Sequence, residues 1–186
     1  MYYNSSIMIN GRCIDINSPT YFVADVASNH NGDLAAAKEL IWLAKEAGAD
    51  AVKFQHFLAE KIVSDYGFQH LEVHASHQAN WKKSVYDTYK EAEFHRDWNE
   101  ELAIESQKAN ITYFTSPYDF EAVDGMEKYV PAYKIGSGDI TWIDFIEYLA
   151  KKNKPVMIAT GASEMWEVEQ AVNAIIKYNP NIILMQ

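Results

Sequence analysis

Apolar positions along the chain switch repeatedly between two periods. Residues 21–27, YFVADVA, are aromatic, β-branched or small and mostly apolar, the pattern of a strand covered on both faces. Residues 33–48, DLAAAKELIWLAKEAG, change to helical spacing, with Leu34, Ala37, Ile41 and Ala44 on one face. Asp33 is placed to cap that helix and Gly48 to end it. A second strand follows in AVKFQHF, 51–57. After a long interval the alternation resumes, with helix over 93–110, strand over 111–117, a short helix over 120–129 and strand over 132–137. Helix over 141–153, strand over 155–160, helix over 163–179 and strand over 181–186 complete it. Strands alternating with helices imply parallel βαβ units.

Two features interrupt the rhythm. SIMINGRCIDI, 6–16, places Asn10-Gly11 between apolar runs, the strongest short hairpin signal. This hairpin, within 1–19, is expected outside the parallel sheet and capping one end of it, with the barrel unit in 20–186. The second interruption is the connection from about 57 to 92, too long for a simple loop; loops of that length in compact domains are functional or disordered.

Composition narrows the function. The 186 residues are 48% hydrophobic and 23% charged, as in a globular protein with a sizeable core. A net charge of −10 argues against a nucleic-acid partner but leaves room for a small anion held by local lysines. The lone Cys13 excludes an intramolecular disulfide. MYYNSSIMIN lacks the basic and apolar regions of a signal peptide, and no apolar run reaches the length of a bilayer span, so a cytoplasmic protein without a membrane partner is expected.

In parallel α/β folds ligands bind at the carboxyl ends of the strands. There the chain places Asp25, Ser28, Asn29 and His30 at the first strand, Lys53 and Gln55 at the second, and Thr115 and Ser116 at the third. The fourth supplies Lys134, Ser137 and Asp139, and the fifth Thr160. Lys53 and Gln55, two apart, share a strand face. An unpaired buried ammonium is costly, so Lys53 and Lys134 suggest one shared anion or two carboxylate partners. Thr115, Ser116 and Ser137 offer hydroxyl donors for phosphate oxygens, and Gly136 and Gly138 allow close backbone approach. The plainer alternative is that Asp25 and Asp139 merely neutralise the two lysines. His30 has either a polar role at the rim or a turn role bonded to nearby backbone. His70, His74 and His77 have the i, i+4, i+7 spacing of metal ligands, but no helical signal accompanies them. Trp42, Trp142 and Trp166 fit core or helix-packing positions.

VADVASNHNGDLAAAKELIWLAKEAGADAVKFQHF, with FTSPYDFEAVD, YKIGSGDI and KPVMIATGAS in the same order, resembles the sialic acid (N-acetylneuraminate) synthase family and its bacterial legionaminic and pseudaminic acid relatives. The resemblance covers roughly residues 20–186. It implies an α/β fold, a parallel TIM-type (β/α)8 barrel, of which six strands are present behind the hairpin. It implies condensation of phosphoenolpyruvate with an N-acetylated amino sugar to a nine-carbon 2-keto-3-deoxy acid, with release of phosphate. Lys53, Thr115, Lys134 and Ser137 match positions that hold phosphoenolpyruvate, Gln55 one that faces the sugar, and Asp25 and Asp139 two glutamates near the reacting carbons.

The chain departs from that pattern in having Asp at both acid positions and Ala159 where many members carry serine. Its GSGDITW block is closer to a subgroup of the family. The resemblance also implies a homodimer and a divalent metal, Mn or Mg, whose ligands lie beyond residue 186 together with two more strands and an antifreeze-like domain. Six strands do not close an eight-stranded barrel, so the expectation is an N-terminal portion of such an enzyme. The rival expectations are a Schiff-base aldolase on the same barrel and a non-catalytic, doubly wound ligand-binding module.

Overall fold

The computed structural model describes residues 3–70 and 81–186. The chain opens with an antiparallel hairpin, β1 (Ile7–Ile9) and β2 (Arg12–Ile14). Asn10 and Gly11 link them with φ of 48° and 80°, the left-handed pair that a two-residue hairpin turn requires. Ile7 and Ile9 are buried. Asn10 Nδ2 donates to Thr112 Oγ1 at 3.2 Å, and Arg12 pairs with Asp50. Thr112 and Asp50 stand where two sheet strands begin, so the hairpin contacts the amino-terminal end of the sheet.

Six parallel strands follow: β3 (Val23–Ala27), β4 (Ala51–His56), β5 (Thr112–Pro117), β6 (Tyr133–Ile135), β7 (Val156–Ala159) and β8 (Ile182–Met185). They pair in sequence order, β3 to β8. Parallel crossovers have one hand, so an order that never reverses winds every return helix onto the same face. That rules out the doubly wound sheet, whose order reverses at a switch point. It is the winding of a TIM-type barrel, present here as six strands.

After β3 comes α1 (Leu34–Glu46), capped by the Asp33 carboxylate and ended by Gly48 at φ 86°. Ala37, Ile41 and Ala44 are its buried face. Among the described residues three short helices follow β4: α2 (Ala59–Ile62), α3 (Asp65–Gln69) and α4 (Val85–Glu91). They do not enter the helix layer; α1 packs directly on α5 (Asn99–Lys108), where Trp42 Nε1 donates to Glu105 Oε1 at 2.9 Å. The described parts of the long connection thus form an excursion, with Lys61, Ile62, Val63 and Phe68 facing Gln55 and Asp139 near the carboxyl ends of β4 and β6. The layer is completed by α6 (Phe120–Met126), α7 (Ile143–Ala150) and α8 (Met165–Ile176).

One expectation changes and a second narrows. The strand expected over 132–137 ends at Ile135, because Ser137–Asp139 closes into a 3-10 turn. Trp42, Trp142 and Trp166 are 40%, 39% and 58% exposed, so none is a core residue; Trp42 joins two helices and Trp142 stacks on Phe145. His74 and His77 lie outside the described residues, while His70 stacks on Tyr66 and bonds its carbonyl at 2.8 Å.

Gly32 fixes the excursion. Its φ is 73°, and an added Cβ would stand 2.8 Å from the carbonyl oxygen of Glu91 at the end of α4. Gly11, at φ 80°, has nothing within 4 Å of such a carbon. Gly11→Ala is therefore expected to cost about 1 kcal/mol in backbone strain alone. Gly32→Ala adds a clash and is expected to cost about 2–4 kcal/mol. Urea unfolding of the two variants measures the difference.

Candidate active site

Alternation along β4 sorts its side chains onto two faces. Phe54 and His56 point to the helix layer: both pack on Phe94, and His56 Nε2 lies 2.9 Å from Asn99 Oδ1 on α5. Lys53 and Gln55 therefore face the inner side of the sheet. Lys53 is buried, and its Nζ donates to Asp25 Oδ1, its register partner on β3, at 2.6 Å. Gln55 is level with Ser116 on β5. The Ser116 hydroxyl is buried on that inner side without a protein partner. On β6, Tyr133 turns outward and donates to the Val123 carbonyl of α6 at 3.1 Å, leaving Lys134 to face inward.

Lys53 and Lys134 thus share one face, with β5 between them. Lys53 has the plain carboxylate partner. Lys134 forms no ion pair among the described residues, and burial first, then the nearby Lys53 charge, pull its ammonium below the usual lysine range. Asp25 and Asp139 oppose that shift, so Lys53 and both acids lie within electrostatic reach of Lys134. Burial pushes the Asp139 carboxyl above the ordinary carboxylate range, against the pull of Lys134.

Of these four groups Asp139 also lines a cleft of about 470 Å³. Gln55, Tyr118 and Asp139 form its polar floor, and Phe57, Tyr89 and Trp142 are among its aromatic walls. The excursion closes it with Lys61, Ile62, Val63 and Phe68. Tyr118, unforeseen from the sequence, accepts from Gln55 Nε2 at 3.1 Å. Burial and the neighbouring carboxylates hold its phenol up at about 12. Its position immediately after β5 is the available signal, by the same carboxyl-end rule that selects Lys53.

Four expected residues stand elsewhere. Thr115 is on the helix-facing side, its oxygen 2.5 Å from His56 Nδ1, because Ser116, not Thr115, falls on the inward phase of β5. Ser137, in the 3-10 turn, is exposed and lines a separate cleft of about 260 Å³ with Thr141, Gly161 and Ser163. His30 is buried among Phe54, Phe94 and Trp98, and its Nδ1 accepts from the Gly32 amide at 3.1 Å, so it is the turn histidine. Thr160 bonds the Met185 carbonyl of β8 at 3.1 Å. Among the described residues no three His, Cys, Asp or Glu side chains converge to hold a metal ion, and no helix is long and apolar enough to cross a membrane.

A profile of the NeuB family matches residues 40–186. The chain belongs to this family. It is 34% identical over 159 residues to the N,N'-diacetyllegionaminic acid synthase of Campylobacter jejuni, covering 85% of this chain and 47% of that protein. It is 32% identical over 177 residues to the human N-acetylneuraminate-9-phosphate synthase, covering 95% and 48%. A crystal structure of the N-acetylneuraminic acid synthetase from Leptospira borgpetersenii, in complex with citrate, superposes with a TM-score of 0.81 at 29% identity, over 98% of this chain and 59% of that one. The NeuB-family chain thus spans about half the length of the curated relatives it matches.

Behind the site, His56 is fully buried, and desolvation holds its imidazole down at about 3 against the ordinary 6.5. Asn99 Oδ1 only accepts, so Nε2 carries the proton and Nδ1 receives the Thr115 hydroxyl. The native state thus binds fewer protons than the unfolded chain between those values, and stability is full above pH 6.5 and is lost as pH falls toward 3. The expected contribution to the slope is at most about 1.4 kcal/mol per pH unit. Urea unfolding from pH 7 to pH 4.5 should show a shallower pH dependence in His56→Gln than in the wild type.

Proposed function

We propose that this chain contributes the phosphoenolpyruvate site of a nonulosonic acid synthase. The reaction condenses phosphoenolpyruvate with an N-acetylated amino sugar, N-acetylmannosamine or a relative of it, and yields a nine-carbon 2-keto-3-deoxy acid and phosphate. The single observation that carries this reading is Lys134: an inward-facing, partly desolvated ammonium with no ion-pair partner among the described residues, beside a second, buried lysine. Such a cation is stabilised by an anionic ligand, and two of them suit a ligand with both phosphate and carboxylate. The orphaned Ser116 hydroxyl supplies a neutral donor at the same level. The relatives, synthases of N,N'-diacetyllegionaminic acid and of N-acetylneuraminate 9-phosphate, support this chemistry.

In the proposed sequence Lys53 and Lys134 neutralise and orient phosphoenolpyruvate. Its C3 forms the new carbon–carbon bond with the sugar aldehyde carbon, and positive charge develops at C2 as the aldehyde oxygen becomes an alkoxide. Water adds at C2 and gives up a proton to Asp139, which lies nearest the cleft, or to Asp25, and that proton is passed on to the alkoxide to make the sugar-derived hydroxyl. The bond from C2 to the phosphate oxygen then breaks, the C2 hydroxyl proton leaves with the phosphate, and the 2-keto group remains. Asp139, with its carboxyl raised by burial, is a better proton acceptor than an ordinary carboxylate. The divalent ion expected from the resemblance finds no converging ligand set among the described residues, so no step is assigned to it.

Phosphate release by the full-length protein, with phosphoenolpyruvate and a panel of acetamido sugars, tests the reading. Lys134→Ala and Lys53→Ala are each expected to lower kcat/KM for phosphoenolpyruvate by roughly 30- to 1,000-fold, the loss of a charge-assisted contact. Unchanged kinetics in both variants overturn the anion site. Ser116→Ala should raise the phosphoenolpyruvate KM roughly 3- to 15-fold with little effect on unfolding. Thr115→Ala should instead destabilise the fold by about 1–3 kcal/mol, because it strips the buried His56 of a partner. The opposite assignment of the two phenotypes would mean that β5 is turned over.

A second reading has one observation in its favour. An ammonium depressed by burial and by a neighbouring cation is also the way an aldolase prepares a Schiff-base lysine. Borohydride reduction in the presence of pyruvate separates the two: a mass adduct on Lys134 supports the aldolase, and its absence alongside phosphate release supports the synthase.

A further inference from the structure

Gln55 and Tyr118 form a polar pair distinct from the anion grip. Tyr118 is the first residue past β5, and its ring packs edge-on against Phe57 with centroids 6.1 Å apart. Its oxygen and an Asp139 carboxylate oxygen stand 3.8 and 3.2 Å from the point that a Cβ on Gly136 would occupy. Both Asp139 and Asp25 act electrostatically on the phenol. Carboxylates only accept hydrogen bonds, so the phenol O–H is best turned toward them. The phenol oxygen is then left to accept from Gln55 Nε2, at 3.1 Å. The orientation of the amide follows: nitrogen toward Tyr118, Oε1 into the cleft. Reversing the amide would set Oε1 against the phenol oxygen and draw the phenol hydrogen away from the two acids.

We propose that Tyr118 is a positioning residue that turns the Gln55 amide so its carbonyl oxygen reads a neutral N–H or O–H donor on the sugar, at a place separate from the lysines. The inference rests on the synthase reading and deepens it, because it names what this end of the cleft tests. An unrestrained amide presents either end to a ligand; one tethered through nitrogen presents an acceptor. A sugar without the matching donor then leaves Oε1 desolvated and unpaired, which is a strong basis for rejection.

The experiment uses Tyr118→Phe, which keeps the ring and removes only the hydroxyl, in the full-length protein. The sugar KM is expected to rise roughly 3- to 15-fold, as for loss of one neutral hydrogen bond, while the phosphoenolpyruvate KM stays within about twofold. Gln55→Ala is expected to absorb the effect, so that adding Tyr118→Phe to it changes the sugar KM no further. In ¹⁵N spectra the Gln55 side-chain amide signals should shift on Tyr118→Phe and its protons exchange faster, which loss of ring packing alone would not produce. An unchanged sugar KM, an equal rise in both KM values, or unmoved Gln55 amide signals overturns the proposal. A wild-type protein that turns over no acetamido sugar overturns the synthase reading instead, and the Gln55 signals then decide the tether by themselves.

Discussion

A lysine on the inner face of a parallel strand needs a counter-charge, and the site is organised around how that need is met. Lys53 is 5% exposed, and Asp25 answers it at 2.6 Å from the same register level of the next strand. The Asp25 side chain is 59% exposed, so the pair is only half removed from water and its net contribution is modest. What it does is satisfy one of two cations. Lys134, on the far side of β5, faces the same space with the Lys53 charge still felt, and its ammonium is disfavoured accordingly. The face is therefore poised to accept further negative charge. The elevated Asp139 carboxyl competes for that place less strongly than an ordinary carboxylate would.

The inner face depends on the outer one. On β4 and β5 the residues that meet the helices alternate with those that meet the cleft, so each strand serves both layers. His56, Thr115 and Asn99 form a closed chain of hydrogen bonds behind Gln55 and Ser116. Asp119 forms a separate set of contacts nearby: one oxygen caps α6 through the Ala122 amide at 2.8 Å, and the other takes Arg96 at 2.5 Å. Buried polar groups joined in this way lock the phase of both strands. A slip of one residue would exchange the cleft residues for the packing residues. Holding Ser116 inward with no partner is a cost that the outer network bears.

Much of this was legible in the sequence because the period of apolar positions and the carboxyl-end rule are both local. The hairpin turn, the caps at Asp33 and Gly48, the parallel order and the position of Lys53, Gln55 and Lys134 follow from them. The failures share a cause. Thr115 and Ser116 are adjacent hydroxyls, and which one faces inward depends on strand phase, set here by His56 and Asn99 from other elements. His30 stayed open between rim and turn because the choice is made by Phe94 and Trp98, which pack on its ring from a segment far along the chain. Tyr118 falls between the strand expected over 111–117 and the helix expected over 120–129, and its role appears only through Gln55 on another strand.

The two glycines of IGSGD illustrate the same point at the scale of an atom. From sequence both invite a backbone close to an anion. In the fold Gly138 has nothing within 4 Å of where a Cβ would sit, so space does not require it. Gly136 has an extended backbone at φ −67°, ψ 155°, so conformation does not require it either. A Cβ there would stand 3.8 Å from the Tyr118 oxygen, an ordinary contact, and 3.2 Å from Asp139 Oδ2, so the carboxylate would have to give by a few tenths of an ångström. The bare glycine thus lies beside both the phenol and the acid, and the group a side chain there would disturb first is the Asp139 carboxylate.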